Sequence, residues 1–384
     1  MRPRGLSLAV AAAAALAGAP RAAAQDSVFG IRGLGFLDRG VSANSAAMGG
    51  GLCLFDGASA VNPASLSVWH GTAGWAVGAG SFHSFDSGSG STTLTATRFP
   101  LIGFAGVIGP RLVLGATISD YLDRNWSVTQ AEIDTLRGAQ VAAQDVTKSV
   151  GGVSDIRIAM AYRMRRMVLG VGLHVLSGST QTSVNRQFPG DSAYLPFTQQ
   201  QVTSYRGVGI SFGAFASPVS GVLAAASVRL NGQLRASSPD SVLHVGMPVE
   251  ANGGLSWTPM TGLLVAGTVG YSTWSSASSA LQAAGKGRSR DVWSVGLGAE
   301  ATFLRFAGKQ LALRAGYRWR QLPFAVDTAA GAPGLDEHAV TGGLGFDTAG
   351  GRATVDAGLD VGSRAAGALT ERFTTAYVGL TIRP

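Results

Sequence analysis

Trp293-Ser294-Val295-Gly296-Leu297-Gly298-Ala299-Glu300-Ala301-Thr302-Phe303 alternates without a break. Trp293, Val295, Leu297, Ala299, Ala301 and Phe303 form one face. Ser294, Gly296, Gly298, Glu300 and Thr302 form the other. Period two marks a strand, because successive side chains leave a pleated backbone on opposite sides. The second face decides the class. A water-facing strand of a soluble sandwich would carry more Lys, Glu and Thr there. Small residues with an isolated acid suit the crowded inside of a barrel whose outer face meets lipid.

The same pattern recurs along the chain. Ala353, Val355, Ala357, Leu359 and Val361 alternate with Thr354, Asp356, Gly358, Asp360 and Gly362. Leu311, Leu313, Ala315, Tyr317 and Trp319 alternate with Ala312, Arg314, Gly316, Arg318 and Arg320. Further apolar stripes run from Met167 to Val175 and from Ile156 to Tyr162. Fourteen strands are expected, near 72–84, 92–108, 111–121, 153–164, 166–177, 202–216, 219–230, 242–257, 262–274, 291–304, 309–320, 337–347, 352–362 and 372–382. An all-β, antiparallel up-and-down transmembrane β-barrel follows from that reading.

The connections support it. Even-numbered ones are short, such as Gly109-Pro110 and Arg165-Arg166. Odd-numbered ones are mostly long, such as 122–152, 178–201, 231–241, 275–290, 321–336 and 363–371. Bacterial barrels have an even strand count, short turns at one end and longer loops at the other. The first odd connection, Asp86 to Ser91, is short and departs from the trend. Pro100 cannot donate to a ladder, so a bulge or kink is expected in the second strand. The last strand, with Ala376, Val378, Leu380 and Ile382 on one face, resembles the C-terminal signal read by barrel-assembly machinery. Arg383-Pro384 stands where a terminal aromatic is usual.

The chain has 55 glycines in 384 residues and 14 % charged residues, yet no apolar stretch after the leader reaches the 18 residues of a helical span. The leader itself is Arg2 and Arg4, an apolar run from Leu6 to Ala19, and Ala22-Ala23-Ala24, the layout of a secretory signal peptide. Domains are therefore expected at 1–24 (signal peptide, cleaved after Ala24), 25–70 and 71–384. Without Arg2, Arg4 and Arg21 the formal charge falls from +8 to +5. No Lys/Arg cluster supports nucleic-acid binding. Cys53 is alone, so no internal disulfide is expected. It lies too far beyond the apolar run for lipid attachment and is read as a small buried residue.

Gln25 to His70 does not alternate. It holds Ser45-Ala46-Ala47-Met48-Gly49-Gly50-Gly51, then Asp56-Gly57-Ala58-Ser59-Ala60, then Asn62-Pro63-Ala64-Ser65-Leu66. Small residues and tight turns let backbone pack closely in a narrow space. This stretch resembles the N-terminal signature of the FadL-like outer-membrane barrels, transporters of long-chain fatty acids and aromatic hydrocarbons. Ala47, Met48, Gly49, Gly50, Asp56, Ala58, Ala60, Asn62, Pro63, Ala64 and Leu66 match it. Ser65 stands where Gly is usual, and Gly57 where a second acid is often found. The resemblance implies a monomeric fourteen-stranded barrel in the outer membrane, with residues 25–70 as an internal plug. It also implies passive uptake of hydrophobic molecules that enter from an outer groove and leave through the wall.

Two connections are long enough to shape a ligand entrance. Val128 to Val150 carries Ile133, Leu136, Val141 and Val146 at helix-like spacing. Phe188, Tyr194, Leu195, Pro196 and Phe197 form an apolar-aromatic cluster suited to a greasy ligand. Parity places Arg157, Glu300, Arg314, Arg318, Arg320, Asp356 and Asp360 in the lumen. Salt bridges that hold the plug are the favoured role; an arginine that grips a ligand carboxylate is the alternative. The five histidines show no metal spacing. His174 faces the lumen, but no Gly-x-Ser-x-Gly motif accompanies it, so neither an enzyme nor a cofactor is expected. The expected partners are outer-membrane lipid and a hydrophobic ligand. The competing reading is a plugged structural or secretion-partner barrel. A polar-solute porin is disfavoured, because it should lack a plug.

Overall fold

The computed structural model describes residues 27–38, 40–86, 91–189, 194–306, 309–324, 335–348, 351–366 and 369–384. The expected signal peptide lies outside them. Fourteen antiparallel strands build one closed wall. They are β1 (Ala73–Asp86), β2 (Ser91–Ile108), β3 (Leu112–Asp123), β4 (Ala139–Arg163), β5 (Met167–Gln187), β6 (Phe197–Val219) and β7 (Val222–Asn231). The circuit continues with β8 (Val249–Met260), β9 (Leu263–Ser272), β10 (Val292–Phe306), β11 (Lys309–Leu322), β12 (Leu335–Thr348), β13 (Ala353–Ala366) and β14 (Leu369–Ile382). β14 pairs with β1 from Thr370↔Asp86 to Ile382↔Gly74, which closes the ring. Closure leaves the wall without a free edge.

The expected parity holds. On β4, Ile158 is 65 % exposed and its neighbour Arg157 is 1 % exposed. Phe104, Leu173, Leu255, Leu297, Val340 and Leu359 share the outer face with Ile158. A wall that exposes large apolar side chains on this scale would aggregate in water. No helix among the described residues is long and apolar enough to cross a membrane.

Three expectations need correction. The stretch 128–150 is no helix. Trp126–Leu136 forms a hairpin with the start of β4, through a two-residue turn in which Arg137 (φ 53°) and Gly138 (φ 82°) are both left-handed. That is the backbone of a type I′ hairpin turn. β-branched Val128, Thr129, Ile133, Thr135, Val146 and Thr147 favour the strand, and pairing with β5 secures it. The span 242–257 is not one strand. Val242–Gly246 pairs with Gln233–Ser237 in a separate hairpin, and Pro248 stands just before β8. The connection 363–371 is almost absent, because β13 runs to Ala366 and β14 begins at Leu369. The upper halves of β4, β5 and β6, with Trp126–Leu136, rise together as a four-stranded blade beyond their shorter neighbours. The bulge at Pro100 is present: Gly78 opposes both Phe99 and Pro100, between Val77↔Leu101 and Ala79↔Arg98.

Residues 27–38 and 40–69 lie inside this wall. Helix Ala43–Ala47 packs on β11 to β14. Ser42 Oγ caps it, accepting from Ser45 N at 3.0 Å and donating to Asp56. Asn62 caps the 3₁₀ turn Pro63–Val68: its Oδ1 accepts from Ala64 N at 3.0 Å, and its Nδ2 donates to Leu54 O at 2.9 Å. Pro63 at the first helical position loses no bond by lacking an N–H. Wall glycines face the plug where it comes nearest. A Cβ on Gly298 or Gly316 would strike Met48, one on Gly213 would strike Asn62, and one on Gly170 would strike Ala64. The expected outcome for Gly298→Val is displacement of the Met48 turn and a loss of about 2 kcal/mol, the usual scale of overpacking. Gly80, whose Cβ would meet nothing within 4 Å, is the control for this substitution. Guanidinium unfolding in detergent micelles should show a lower midpoint for Gly298→Val only; equal midpoints would refute the close seating.

Candidate functional site

Four arginines hold plug carbonyls at successive heights. Arg124 Nη1 donates to Gly33 O at 3.0 Å, Arg320 Nη1 to Leu37 O at 3.3 Å, Arg157 Nη1 to Ala60 O at 2.8 Å, and Arg163 Nη2 to Ser67 O at 2.8 Å. Thr341 Oγ1 donates to Ala47 O at 2.9 Å, and Thr268 Oγ1 to Gly50 O at 3.2 Å. The plug exposes carbonyls because its short helices and turns leave them unpaired, and side-chain donors on the wall satisfy them.

The expected lumen charges come together as ion pairs. Arg314 bridges Glu300 and Asp356, each at 2.6 Å. Arg318 bridges Glu337 at 3.1 Å and Asp360 at 2.9 Å. Glu337 also receives Arg320 at 2.8 Å and Arg364 at 2.7 Å; Arg364 reaches on to Glu371 at 2.9 Å. Glu371 accepts from Ser27 Oγ at 2.6 Å, so the network ends on the first described plug residue. Phe36 of the plug lies under two of these cations, 4.9 Å from Arg320 and 4.2 Å from Arg364. Arg314 and Arg318 are thus occupied by carboxylates of the chain itself. Arg157 differs: its Nε and Nη2 have no hydrogen-bond partner among the described residues. Glu337, Arg364 and Glu371 were not singled out from the sequence, although strand parity places all three inside.

Among the described residues, the cavities between plug and wall include three small ones. The first, about 120 Å³, runs from Leu37, Gly49 and Cys53 of the plug to Pro100 at the bulge. The second, about 80 Å³, lies between Ala60–Val61 and Tyr121, Asp155 and Arg229. The third, about 220 Å³, sits at the short-turn end beside Asp56, Trp69 and Trp75. Each is smaller than the 300 Å³ or so at which pockets for drug-sized ligands begin.

The aromatic cluster expected at the entrance lies on the blade tip. Phe188 and Tyr194 have ring centroids 5.4 Å apart, Tyr194 Oη donates to Leu136 O at 3.4 Å, and Leu195 and Phe197 are exposed. None of these four lines the cavities above. The mouth is closed instead by a buried apolar cluster that joins Leu34 of the plug to Leu234, Met247, Trp274, Leu281 and Phe324. Trp274 and Leu281 sit on a 3₁₀ turn and a helix, Ser278–Ala283, within the connection read as a loop. Their apolar side chains in that stretch were the available signal.

Ser211, His174 and Asp155 form a hydrogen-bonded line, with Ser211 Oγ 2.8 Å from His174 Nε2 and His174 Nδ1 2.9 Å from Asp155. All three are 2 % exposed, and Asp155 also takes Arg229 at 2.7 Å. Neither Ser211 nor His174 lines any of the three cavities. The line therefore serves as a satisfied buried network between β4, β5 and β6.

No family model matches the sequence, and no curated protein matches it. Among solved structures, a Pseudomonas aeruginosa FadL homologue superposes with a TM-score of 0.62 at 12 % identity, covering 90 % of this chain and 99 % of its own. The CymD monoaromatic hydrocarbon channel gives 0.59 at 16 % identity, with coverage of 90 % and 98 %. The Pseudomonas putida toluene transporter TodX gives 0.56 at 15 % identity, with coverage of 90 % and 98 %. The chain has the fold of the FadL/TodX-type fourteen-stranded barrels.

Neutralising the hub tests the ion-pair network. Glu337→Gln leaves Arg318, Arg320 and Arg364 sharing too little negative charge in a confined space. It should cost about 3 kcal/mol, the scale seen when one partner of a buried pair is removed. Unfolding at low and high salt checks it, and an unchanged midpoint at both would refute the hub role.

Proposed function

We propose that the protein is an outer-membrane channel for passive uptake of hydrophobic small molecules, long-chain fatty acids or hydrocarbons among them. The carrying observation is the joint presence of a closed barrel with an apolar outer face and a seated plug. That plug bears Met48, Gly49, Gly50, Asp56, Asn62, Pro63, Ala64 and Leu66 at its turns and caps. In this reading residues 1–24 direct export, residues 25–70 are the gate, and 71–384 form a monomeric barrel in outer-membrane lipid. The blade-tip residues Phe188, Tyr194, Leu195 and Phe197 collect ligand outside. The route inward runs past the Trp274–Leu281 seal to the cavity that ends at Pro100. The bulge at Phe99–Pro100 offers the sideways exit, because one ladder position there is already broken.

The pairing of Arg314 and Arg318 favours neutral ligands over acids at their level of the lumen. A plugged structural barrel without transport remains the second reading, supported by the small size of all three cavities.

Expression in a bacterial strain that lacks its own hydrophobe channels decides between the two. Uptake of radiolabelled oleate and toluene should rise several-fold, while glucose uptake stays at background. Deleting Phe99 together with Pro100→Ala restores one-to-one pairing with Gly78 and should remove most of that gain. No rise with the wild-type chain would overturn the transport reading in favour of the structural barrel.

A further inference from the structure

The connection between β9 and β10, residues 273–291, is an amphipathic cap. Trp274, Ala277 and Leu281 are buried on its lower side, while Ser275, Ser276, Ser279 and Gln282 are exposed. The helix Ser278–Ala283 stops in a Schellman turn. Lys286 N donates to Leu281 O at 2.8 Å and Gly285 N to Gln282 O at 3.0 Å, with Gly285 left-handed at φ 65°. The turn leaves the Lys286 carbonyl facing the plug, where Gly33 N donates to it at 3.0 Å. Gly33 is itself left-handed (φ 59°), and a Cβ there would strike the Phe324 ring, so glycine is required for this contact. Its neighbour Leu34 joins Trp274, Ala277 and Leu281 in one buried cluster, with Trp274 edge-on to Phe324 at 5.2 Å. The feet of the cap are tied by backbone, Thr273 N to Val249 O and Arg290 N to Pro323 O, each at 3.0 Å. The span between them is held by side chains. Asp291 Oδ1 accepts from Ser275 N at 2.8 Å, Asp291 Oδ2 accepts from Tyr271 Oη at 2.9 Å, and Ser289 Oγ donates to Trp274 O at 2.7 Å.

We propose that residues 273–291 are a lid coupled to the plug, so that opening the mouth and loosening the start of the plug are one event. As a gate for ligand the lid rests on the transport reading; the coupling itself needs no ligand. Lifting the lid breaks the bond from Gly33 and strips Leu34 of the apolar side chains that cover it. Leu34 is 1 % exposed with the lid down, so an open mouth above a seated plug would leave a leucine in water. What else holds this stretch is slight. Arg124 holds Gly33 O, Arg320 holds Leu37 O, and Phe36–Leu37 forms a ladder of only two residues with β3. A ladder that short gives little support of its own. Beneath the lid, the cavity of about 80 Å³ is lined by Trp274 of the lid and by Leu37 and Asp38 of the plug. A molecule that enters under the lid therefore meets the very stretch that the lid releases.

The test is hydrogen–deuterium exchange, read by mass spectrometry, on the full chain in detergent micelles. Asp291→Ala and Ser289→Ala each remove a bond that holds the Trp274 turn, and among the described residues neither side chain bonds to the plug. Each should speed exchange at least fivefold in the lid, 273–289, and also in the plug segment 28–38. The helix Ala43–Ala47 and β13 should exchange as in the wild type. Arg288→Ala, at an exposed lid residue bonded to Gln282, should change neither lid nor plug. A heat-modifiable gel shift confirms folding, and either lid variant alone suffices. A faster lid over an unchanged 28–38 segment would overturn the coupling, since the two then move independently. So would an unchanged lid in both variants, which makes the cap part of a rigid core. Faster exchange throughout the chain, β13 included, would overturn it as well, because that is a loss of global stability. Oleate uptake by cells carrying the wild type is read separately: its absence would sink the transport reading, whereas joint loosening of lid and plug supports the coupling whatever is transported.

Discussion

Everything in this molecule follows from closure of one hydrogen-bonded ladder. The pairing of Thr370–Ile382 with Gly74–Asp86 gives the last strand a partner and the first strand its second. Without it, two edges of up to fourteen residues would present bare N–H and C=O groups, which apolar surroundings cannot satisfy. Closure also creates an inside. Once fourteen strands curve into a ring, every second side chain must share a confined lumen, and the remaining side chains face outward. Glycine, serine and paired charges are therefore forced on one face, and large apolar residues are free on the other.

The lumen is filled in three ways that solve different problems. Where the plug backbone meets the wall backbone, both sides use small residues. Met48–Gly51 lies on Gly296, Gly298 and Gly316, and Asn62–Ala64 on Gly213 and Gly170. Where space is left, charges fill it, but never singly around the hub. Arg318, Arg320 and Arg364 converge on Glu337, with Asp360 and Glu371 balancing the remaining charge. The paired groups also reach the plug: Arg320 holds Leu37 O, and Glu371 holds Ser27. A third filling is apolar: Leu66 and Trp69 of the plug pack with Trp75 and Leu101 of the wall, and Leu54 and Phe55 with Phe215 and Ala225.

Most strand positions, the ring and the inward parity of Arg157, Glu300, Arg314, Arg318, Asp356 and Asp360 were legible, because period two is a local pattern and the large apolar outer face contrasts strongly with the small or charged inner one. The bulge at Pro100 was legible for an equally local reason, the missing donor. The hairpin at 126–149 was misread because Ile133 and Leu136, three apart, were taken for a helical face that Val141 and Val146, each five residues on, do not continue; its β-branched residues and its pairing with β5 gave the deciding information. The break before β8 was hidden because Val242–Gly246 alternates like the strand that follows; only its pairing with Gln233–Ser237 distinguishes it. The arginines that grip plug carbonyls, and the convergence on Glu337, depend on which strands become neighbours around the ring. No window of sequence contains that.

The positions of the apolar clusters bear on how such a barrel could conduct. The seal at the mouth, from Leu34 through Trp274 and Leu281 to Phe324, is greasy, and the levels below it combine ion pairs with apolar plug–wall clusters around Phe55–Phe215 and Trp69–Trp75. A water-soluble solute meets its highest barrier at the seal, where its polar groups would lose water without gaining partners. A hydrophobic molecule meets no such barrier there, because it exchanges one apolar contact for another. Its barrier lies lower, among the paired charges, where a cavity reaches Pro100 at the bulge in the wall. An apolar ligand that turned sideways there would regain apolar surroundings before reaching the acidic cavity around Asp56 and Asp356. If the barrel conducts as proposed above, the broken ladder at Phe99–Pro100 would favour lateral over axial passage for a ligand that the seal admits.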